Sequence, residues 1–295
     1  IFLGVGAHEG TKMGCKGEDA GYEGFIDGAV FLRELALGKP LEPKGKVVIV
    51  GGGNVAMDCA RSCARLGFKD VEILYRRTRK EMPARAEEVD EALEEGIKIR
   101  YLVAPVSVLA DGNKVKGVEC IRMKLGEPDS SGRRRPVPVK GSEFKVKADL
   151  VIPAIGQKPD LGFAKEVIQV TGWGTVEVNP ETLRTNLEGV FAGGDCVSGP
   201  ATLIEALDAG NRVARSIDAY LQGRTAEPEV SFKGIDVKAQ RTEGFIDTCP
   251  QEKASLLDPK VRVKNFAEVE GPFRNIAAMK EANRCLRCYR LVVWE

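Results

Sequence analysis

The stretch VVIVGGGNVAMDCAR (residues 47–61) joins an apolar run to a glycine-rich turn and a helical pattern. Gly51, Gly53 and Ala56 form a GxGxxA sequence at this turn. The first glycine permits a tight turn, the second lets a pyrophosphate approach the backbone, and the small alanine lets helix and strand pack closely. Free N–H groups at the helix start favour an anion. The stretch therefore predicts a dinucleotide site, with a plain structural turn as the alternative.

An α/β order surrounds this turn. Lys46–Val50 is typical of a strand buried on both faces, Asn54–Leu66 of a helix and residues 71–75 of the next strand. This order implies a parallel, right-handed unit. The sequence also predicts a helix over residues 83–95 that ends at Gly96, and strands over 98–102, 115–123 and 146–155. Residues 127–141, rich in Gly, Pro, Ser and Arg, are interpreted as a loop whose three arginines lie in a solvated turn.

The end of the second strand indicates which dinucleotide is bound. An NAD site would carry an acidic residue about 20 residues past the glycines, where it hydrogen-bonds the ribose 2′-OH. Here the sequence is YRRTRKEMPA, with Arg76 and Arg77 in that place. Guanidinium groups suit a 2′-phosphate, so NADPH is favoured. The alternative is that both arginines only solvate the strand end.

A second glycine-rich joint follows later in the chain. In GVFAGGDCVSGPATLIEAL (residues 189–207), a short apolar run meets Gly194 and Asp195, and a long helix is predicted to start near Ala201. This pattern predicts an anion or ribityl site at a helix start. The alternative is a strand-turn-helix joint in which Asp195 is a simple cap.

Length, charge and composition bound the class of protein. A chain of 295 residues is expected to form two compact units. Its 44 basic and 43 acidic residues nearly cancel, which argues against nucleic acid or an anionic membrane as a partner. No apolar run approaches the roughly 20 residues of a membrane span, and the start lacks a basic leader, so a cytoplasmic protein is expected. Six of its cysteines are interpreted as small core residues: Cys15, Cys59, Cys63, Cys120, Cys196 and Cys249.

Five motifs in order resemble one flavoprotein family: GGGNVAMDCAR, YRRTRKEMPA, SGRRRPVPVKGSE, ADLVIPAIGQKPD and GVFAGGDCVSGPATLIEAL. From residue 2 to about residue 223 the chain is similar to the small (beta) subunit of NADPH-dependent glutamate synthase and its relatives. The resemblance implies an α/β fold in which a Rossmann-like NAD(P)-binding domain is inserted in an FAD-binding domain, as in flavoproteins with two dinucleotide-binding domains.

The resemblance also implies roles for individual residues. It assigns the NADPH pyrophosphate to the glycine turn, the 2′-phosphate to the two arginines, and the FAD to the second joint. Gly6 and Gly156 mark the two crossings between the domains. The full set of expected cofactor-binding residues is Gly51, Gly53, Asn54, Val55, Ala56, Arg76, Arg77, Gly6, Gly156, Gly194, Asp195, Ala201, Thr202 and Leu203.

The chain departs from the family in lacking a second GxGxxG. We therefore expect a chain truncated at its N-terminus, with an incomplete FAD-binding domain and an incomplete FAD site. The expected division is residues 1–40 as a remnant of the FAD-binding domain with the first crossing, 41–150 as the NADPH-binding domain, 151–223 as the C-terminal part of the FAD-binding domain, and 224–295 as a tail.

Within the tail, Cys285 and Cys288 form a CxxC. That spacing is typical of iron–sulfur or zinc ligands, but four ligands are normally required, so free thiols remain an open alternative. By resemblance, electrons pass from NADPH through FAD to iron–sulfur centres or an electron-accepting partner subunit. Cofactors supply this chemistry, so no catalytic acid or base is expected. The alternatives are an NADPH-binding module without redox turnover, or an interaction subunit whose CxxC holds a structural metal.

Overall fold

A computed structural model describes residues 1–129, 132–164, 166–224 and 250–284. The chain forms two compact units, Ile1–Pro228 and Glu229–Glu295, and each is described by itself. Cys249 and the expected CxxC at Cys285 and Cys288 lie outside the described residues.

The first unit contains all the described strands. These are β1 (Phe2–Leu3), β2 (Glu9–Gly10), β3 (Lys46–Val50), β4 (Asp70–Tyr75), β5 (Lys98–Tyr101), β6 (Val103–Asp111), β7 (Lys114–Pro128), β8 (Arg134–Pro138), β9 (Phe144–Lys147), β10 (Leu150–Pro153), β11 (Gln157–Lys158) and β12 (Phe191–Ala192). Its helices are α1 (Gly28–Ala36), α2 (Asn54–Leu66), α3 (Ala86–Glu94), α4 (Asp195–Ser198) and α5 (Leu203–Leu221), with a 3₁₀ turn at Arg79–Glu81.

A four-stranded parallel sheet in the order β10-β3-β4-β5 forms the centre of this unit. One core joins Ile49 and Ile73 of the sheet to Phe31 of α1, Met57 of α2 and Val89 of α3. The opposite face packs on a second layer built from β6, β7 and β9. Because both faces are covered, β3 is a continuous apolar run, as the sequence predicts.

The second layer is an antiparallel sheet in which β7 pairs with β6, β8 and β9. Here the sequence interpretation is wrong at one point: Arg134–Pro138, expected within a loop, is strand β8, paired with the end of β7. Prolines 136 and 138 are tolerated because β8 lies at the edge of the sheet, where a missing N–H costs no ladder bond. We call residues 123–138 the β7–β8 ribbon.

Other elements differ from their predicted bounds. The helix expected over 83–95 is α3, Ala86–Glu94, and the strand expected over 146–155 is two strands, β9 and β10. The division has a physical cause, since β9 pairs with β7 in the antiparallel layer while β10 pairs with β3 in the parallel one. Strand β6 was not anticipated, and its pairing with β7 is interrupted by two register shifts.

Two short strand pairs join segments that are far apart in the sequence. β2 and β11 pair antiparallel, and β1 pairs parallel with β12. Leu3 and Val5 pack in a separate core with residues of the 161–197 region. The expected boundaries at residues 40 and 150 fall inside the packed layer of the parallel sheet, because α1 packs on α2 and β10 pairs with β3. The packing changes at the β2–β11 pair instead.

In the second unit, the described residues 250–284 contain α6 (Pro259–Arg262) and α7 (Asn275–Asn283). Among the described residues of the chain, no helix has both the length and the apolar character needed to cross a membrane.

Candidate functional site

A cleft of about 660 Å³ opens beyond the carboxyl ends of β3, β4 and β10. This is the edge where parallel α/β sheets place their ligands. Nine of the residues expected from the sequence line it, namely Gly51, Gly53, Asn54, Val55, Arg76, Arg77, Gly156, Asp195 and Ala201. The cleft therefore brings together the glycine turn, the arginine strand end and the second glycine joint, which are distant in sequence.

The three glycines after β3 have different reasons to be glycine. Gly51 has φ +152°, and a Cβ there would lie 2.1 Å from the carbonyl oxygen of Ala154. A Cβ on Gly52 would lie 2.5 Å from the ring of Tyr75. Gly53, by contrast, has an ordinary φ of −94°, and the nearest atom to its Cβ would be 3.8 Å away, on Pro83. The protein's own packing therefore does not require glycine at residue 53, and the absence of a side chain there leaves space beside the backbone.

Helix α2 begins directly at this turn. Gly53 is its N-cap and supplies no side-chain hydrogen bond, so the first N–H groups of a 13-residue helix are left to other acceptors. Ala56 is fully buried beneath the turn rather than lining the cleft. Asn54 accepts a hydrogen bond from the Arg85 backbone N–H at 3.2 Å, which ties the turn to the start of α3.

The segment after β4 is held in a fixed shape by its own side chains. Thr78 and Glu81 form a reciprocal capping box around the 3₁₀ turn. The Tyr75 hydroxyl donates to the backbone oxygen of Glu81 at 2.7 Å. These contacts fix the backbone that carries Arg76 and Arg77 into the cleft.

The two arginines at this strand end differ. Arg77 is buried, forms an ion pair with Asp129 at 2.8 Å, and donates from Nε to the Arg134 backbone oxygen at 2.8 Å. Arg76 is exposed, and among the described residues no hydrogen bond or ion pair holds its guanidinium. Desolvation, with Arg77 as the next contribution, lowers the pKa of Arg76. Arg76 is therefore exposed to the cleft, while Arg77 is engaged by the β7–β8 ribbon.

Arg133 also lines the cleft, which the sequence interpretation missed. Its placement in a solvated turn is wrong for this residue, because the ribbon folds back over the end of β4 and brings it to the site. The RRR run offered a signal, but only the strand pairing shows which of the three arginines faces the cleft.

The second glycine joint contributes a different wall. Gly194 has φ +74° and precedes Asp195, which begins α4 and lines the cleft together with Ala201. Thr202 caps α5 through a reciprocal capping box with Glu205. Leu203 is 78% exposed, beside exposed Ile204 and Leu207, so an apolar face stands at the start of α5.

The remaining expected residues lie outside the lining of this cleft: Gly6, Gly194, Thr202 and Leu203. Gly6 has φ +66° and stands beside His8. The five cysteines that the structure describes are free thiols, four of them buried, which agrees with their interpretation as small core residues. Burial raises the pKa of the half-exposed Cys15 thiol to about 11, so the structure offers no activated thiol there.

Comparison with known proteins identifies the family of this chain. Residues 1–210 match the family model described as pyridine nucleotide-disulphide oxidoreductase. The chain is 48% identical over 300 residues to the NADP(+)-dependent formate dehydrogenase subunit beta of Moorella thermoacetica, covering 99% of this chain and 42% of that protein. It is 43% identical over 334 residues to the NADPH-Fe(3+) oxidoreductase subunit beta of Geobacter sulfurreducens, covering 99% and 48%.

A third relative matches a smaller part of the chain, and two solved structures share its fold at lower identity. The glutamate synthase (NADPH) small chain of Azospirillum brasilense is 43% identical over 192 residues, covering 64% of this chain and 40% of that protein. The fold resembles T. acidophilum thioredoxin reductase (TM-score 0.57, 22% identity, covering 75% of this chain and 66% of that one). It also resembles Mycobacterium tuberculosis FprA in complex with NADPH (TM-score 0.61, 19% identity, covering 79% and 66%). The chain spans less than half the length of these three curated relatives.

Proposed function

The chain belongs to the pyridine nucleotide-disulphide oxidoreductase family, and from this premise we propose that it accepts electrons from NADPH and, with FAD, passes them to iron–sulfur centres or a partner subunit. The observation that carries the proposal is the single cleft in which the GxGxxA turn, Arg76 and the Asp195 joint meet.

The residues around the turn fit a pyridine dinucleotide. Gly53 leaves open space where a pyrophosphate would lie, and the N-terminus of α2 presents unsatisfied N–H groups to it. Arg76, exposed at the end of β4, stands where a 2′-phosphate would follow. Together these features favour NADPH over NADH.

The second joint fits part of an FAD site. Asp195 and Ala201 reach the same cleft, and the exposed apolar start of α5 offers a surface for a flat ring system. FAD, when bound, would supply the acceptor for the hydride and release the electrons one at a time. The chain's own residues bind and orient the two cofactors, and no side chain is assigned as a catalytic acid or base.

The names of the relatives support a partner as the final acceptor. All three are named as subunits or chains that use NADP(H), while formate dehydrogenase, Fe(3+) oxidoreductase and glutamate synthase differ in what else they act on. We infer that this chain supplies the shared pyridine-nucleotide step and that a partner sets the substrate. The iron–sulfur ligation at Cys285 and Cys288 and the cytoplasmic location stay predictions from the sequence.

The test is an Arg76→Ala variant. Loss of a hydrogen bond to a charged group should weaken NADPH binding by about 10- to 100-fold, while NADH binding stays nearly unchanged, as titration calorimetry with each nucleotide would show. Lys80→Ala is the matched control, because Lys80 is an exposed cation on the same segment that does not line the cleft. Equal losses for both nucleotides would contradict the 2′-phosphate assignment.

Flavin binding is tested separately with the unaltered chain. After incubation with FAD and removal of the excess, retained visible flavin absorbance that NADPH bleaches would support the oxidoreductase. A colourless chain that still binds NADPH would instead identify an NADPH-binding module without redox turnover.

A further inference from the structure

The peptide between Gly52 and Gly53 lies at the centre of the glycine turn. Glycine restricts its own φ and ψ angles less than any other residue, so this peptide could present either its C=O or its N–H to the cleft. The fold fixes the choice, because the Ala84 N–H donates to the Gly52 carbonyl oxygen at 3.1 Å. The peptide is trans, so the Gly53 N–H points away from Ala84.

This orientation leaves one donor for a ligand. Gly53 lines the cleft, and its N–H meets no acceptor within residues 1–129, 132–164, 166–224 and 250–284, which the structure describes. The Gly53 carbonyl oxygen, by contrast, accepts from the N–H groups of Ala56 and Met57 in the first turn of α2. The turn therefore directs its oxygens into the protein and an N–H toward the cleft.

The Ala84 donor belongs to a segment, residues 78–85, that is fastened to the body of the fold. Ala84 is buried in the same core as Met57 of α2. The next N–H along, that of Arg85, donates to Oδ1 of Asn54 at 3.2 Å. Two successive N–H groups of the segment thus hold the turn and the first residue of α2.

Tyr75 connects this segment to the end of β4. Its hydroxyl donates to the carbonyl oxygen of Glu81, three residues before Ala84, at 2.7 Å. Its ring lies against Gly52, where a Cβ would come within 2.5 Å of it. Tyr75 is buried, so one shielded side chain contacts both the turn and the segment that donates to the turn.

We propose that the 78–85 segment sets the orientation of the Gly52–Gly53 peptide for a pyrophosphate, and that Tyr75 is the positioning residue which holds the segment in place. The Gly53 N–H then joins the first N–H groups of α2 as a donor to the ligand. This inference rests on the proposed function, since it concerns the pyrophosphate of the same nucleotide. The effect is common to NADPH and NADH, because both carry that group.

The test is Tyr75→Phe, which removes the hydroxyl and keeps the ring beside Gly52. Loss of one hydrogen bond should weaken NADPH and NADH alike, by about three- to tenfold, as titration calorimetry would measure. Adenosine 2′-monophosphate carries no pyrophosphate and should bind as tightly as it does to the unaltered chain. A general loosening of the fold would weaken this probe too, so the probe separates positioning from structural damage.

Tyr101 offers a matched control for the same chemical change. It is the register partner of Tyr75 on the neighbouring strand β5. Tyr101 lies outside the lining of the cleft, and its hydroxyl makes no hydrogen bond with the part of the chain that the structure describes. Tyr101→Phe should therefore leave the affinities for all three ligands unchanged.

A second pair of variants addresses the backbone donor beside Ala84. Arg85 has φ −59°, an angle that proline adopts, so Arg85→Pro deletes the N–H that Asn54 accepts. Arg85→Pro should weaken NADPH and NADH alike. Arg85→Ala, which keeps the N–H and removes only an exposed side chain, should weaken neither. Equal affinities in these two variants would overturn the part of Asn54, and Tyr75→Phe decides the inference if Arg85→Pro does not fold.

The outcomes separate this inference from the proposed function. Suppose that the unaltered chain binds NADPH and that Tyr75→Phe keeps full affinity for both dinucleotides, or loses as much affinity for adenosine 2′-monophosphate. The positioning role of Tyr75 is then overturned while NADPH binding stands. If the unaltered chain does not bind NADPH, the proposed function fails as well.

Discussion

At the scale of single residues, two arginines that are adjacent in the sequence have different environments. Arg76 and Arg77 are equivalent in a sequence pattern, and both line the cleft. Arg76 is exposed, whereas Arg77 is buried and paired with Asp129. The sequence could predict that arginines follow β4, because the pattern of strand and turn is local. It could not predict which one was available, because Asp129 lies on another element.

The glycines of the turn give a residue-scale prediction. Gly51→Ala should lower the free energy of unfolding by about 2 kcal/mol or more, because its Cβ would clash with a backbone carbonyl at a strained φ. Gly53→Ala should change it by less than about 1 kcal/mol, since φ is ordinary and space is open. Thermal or denaturant unfolding measures both.

The same pair should behave oppositely toward ligand. Gly53→Ala should weaken NADPH and NADH together, because both carry the pyrophosphate that approaches this position. A Gly53→Ala protein that keeps its stability and its full affinity for both nucleotides would contradict the placement of the pyrophosphate at the turn.

At the scale of elements, local patterns were predicted well and long-range pairings were not. β3, the turn and α2 follow from consecutive residues, and the structure reproduces Lys46–Val50 and Asn54–Leu66. Strand β8 depends on pairing with β7, and its prolines argue for a loop when viewed alone. The ribbon, and with it Arg133, was therefore missed.

The packing of α3 on α2 gives an element-scale prediction. Glu95, whose side chain is fully buried, accepts hydrogen bonds from Arg61 at 2.8 Å. Glu95→Ala leaves Arg61 with Glu91 as a carboxylate partner but removes its hydrogen bonds to Glu95, so it should lower the free energy of unfolding by about 2 kcal/mol. Denaturant titration measures this loss.

A surface carboxylate on the same helix provides the comparison. Glu87→Ala removes an exposed group whose ion pair with Arg85 spans 4.0 Å, and should shift stability by less than about 0.5 kcal/mol. Similar effects for Glu95→Ala and Glu87→Ala would show that the buried pair does not join the helices.

At the scale of the whole molecule, the described site belongs to one unit. The cleft-lining residues run from Met13 to Ala201, inside Ile1–Pro228. A chain ending at Pro228 should therefore bind adenosine 2′,5′-bisphosphate as tightly as the full chain does, as calorimetry would measure. A folded chain of that length with clearly weaker binding would show that residues beyond 228 contribute to the site.

The pairing of β2 with β11 has an evolutionary meaning. The Thr11 N–H donates to the Gly156 carbonyl oxygen at 2.9 Å, so the chain departs from and returns to nearly the same point. A segment with adjoining ends can be exchanged as one piece without disturbing the body that receives it. Residues 11–156 thus form a cassette that carries the glycine turn, the strand-end arginines and the ribbon. Recombination at the paired ends of this segment would transfer nucleotide preference between related proteins in a single event.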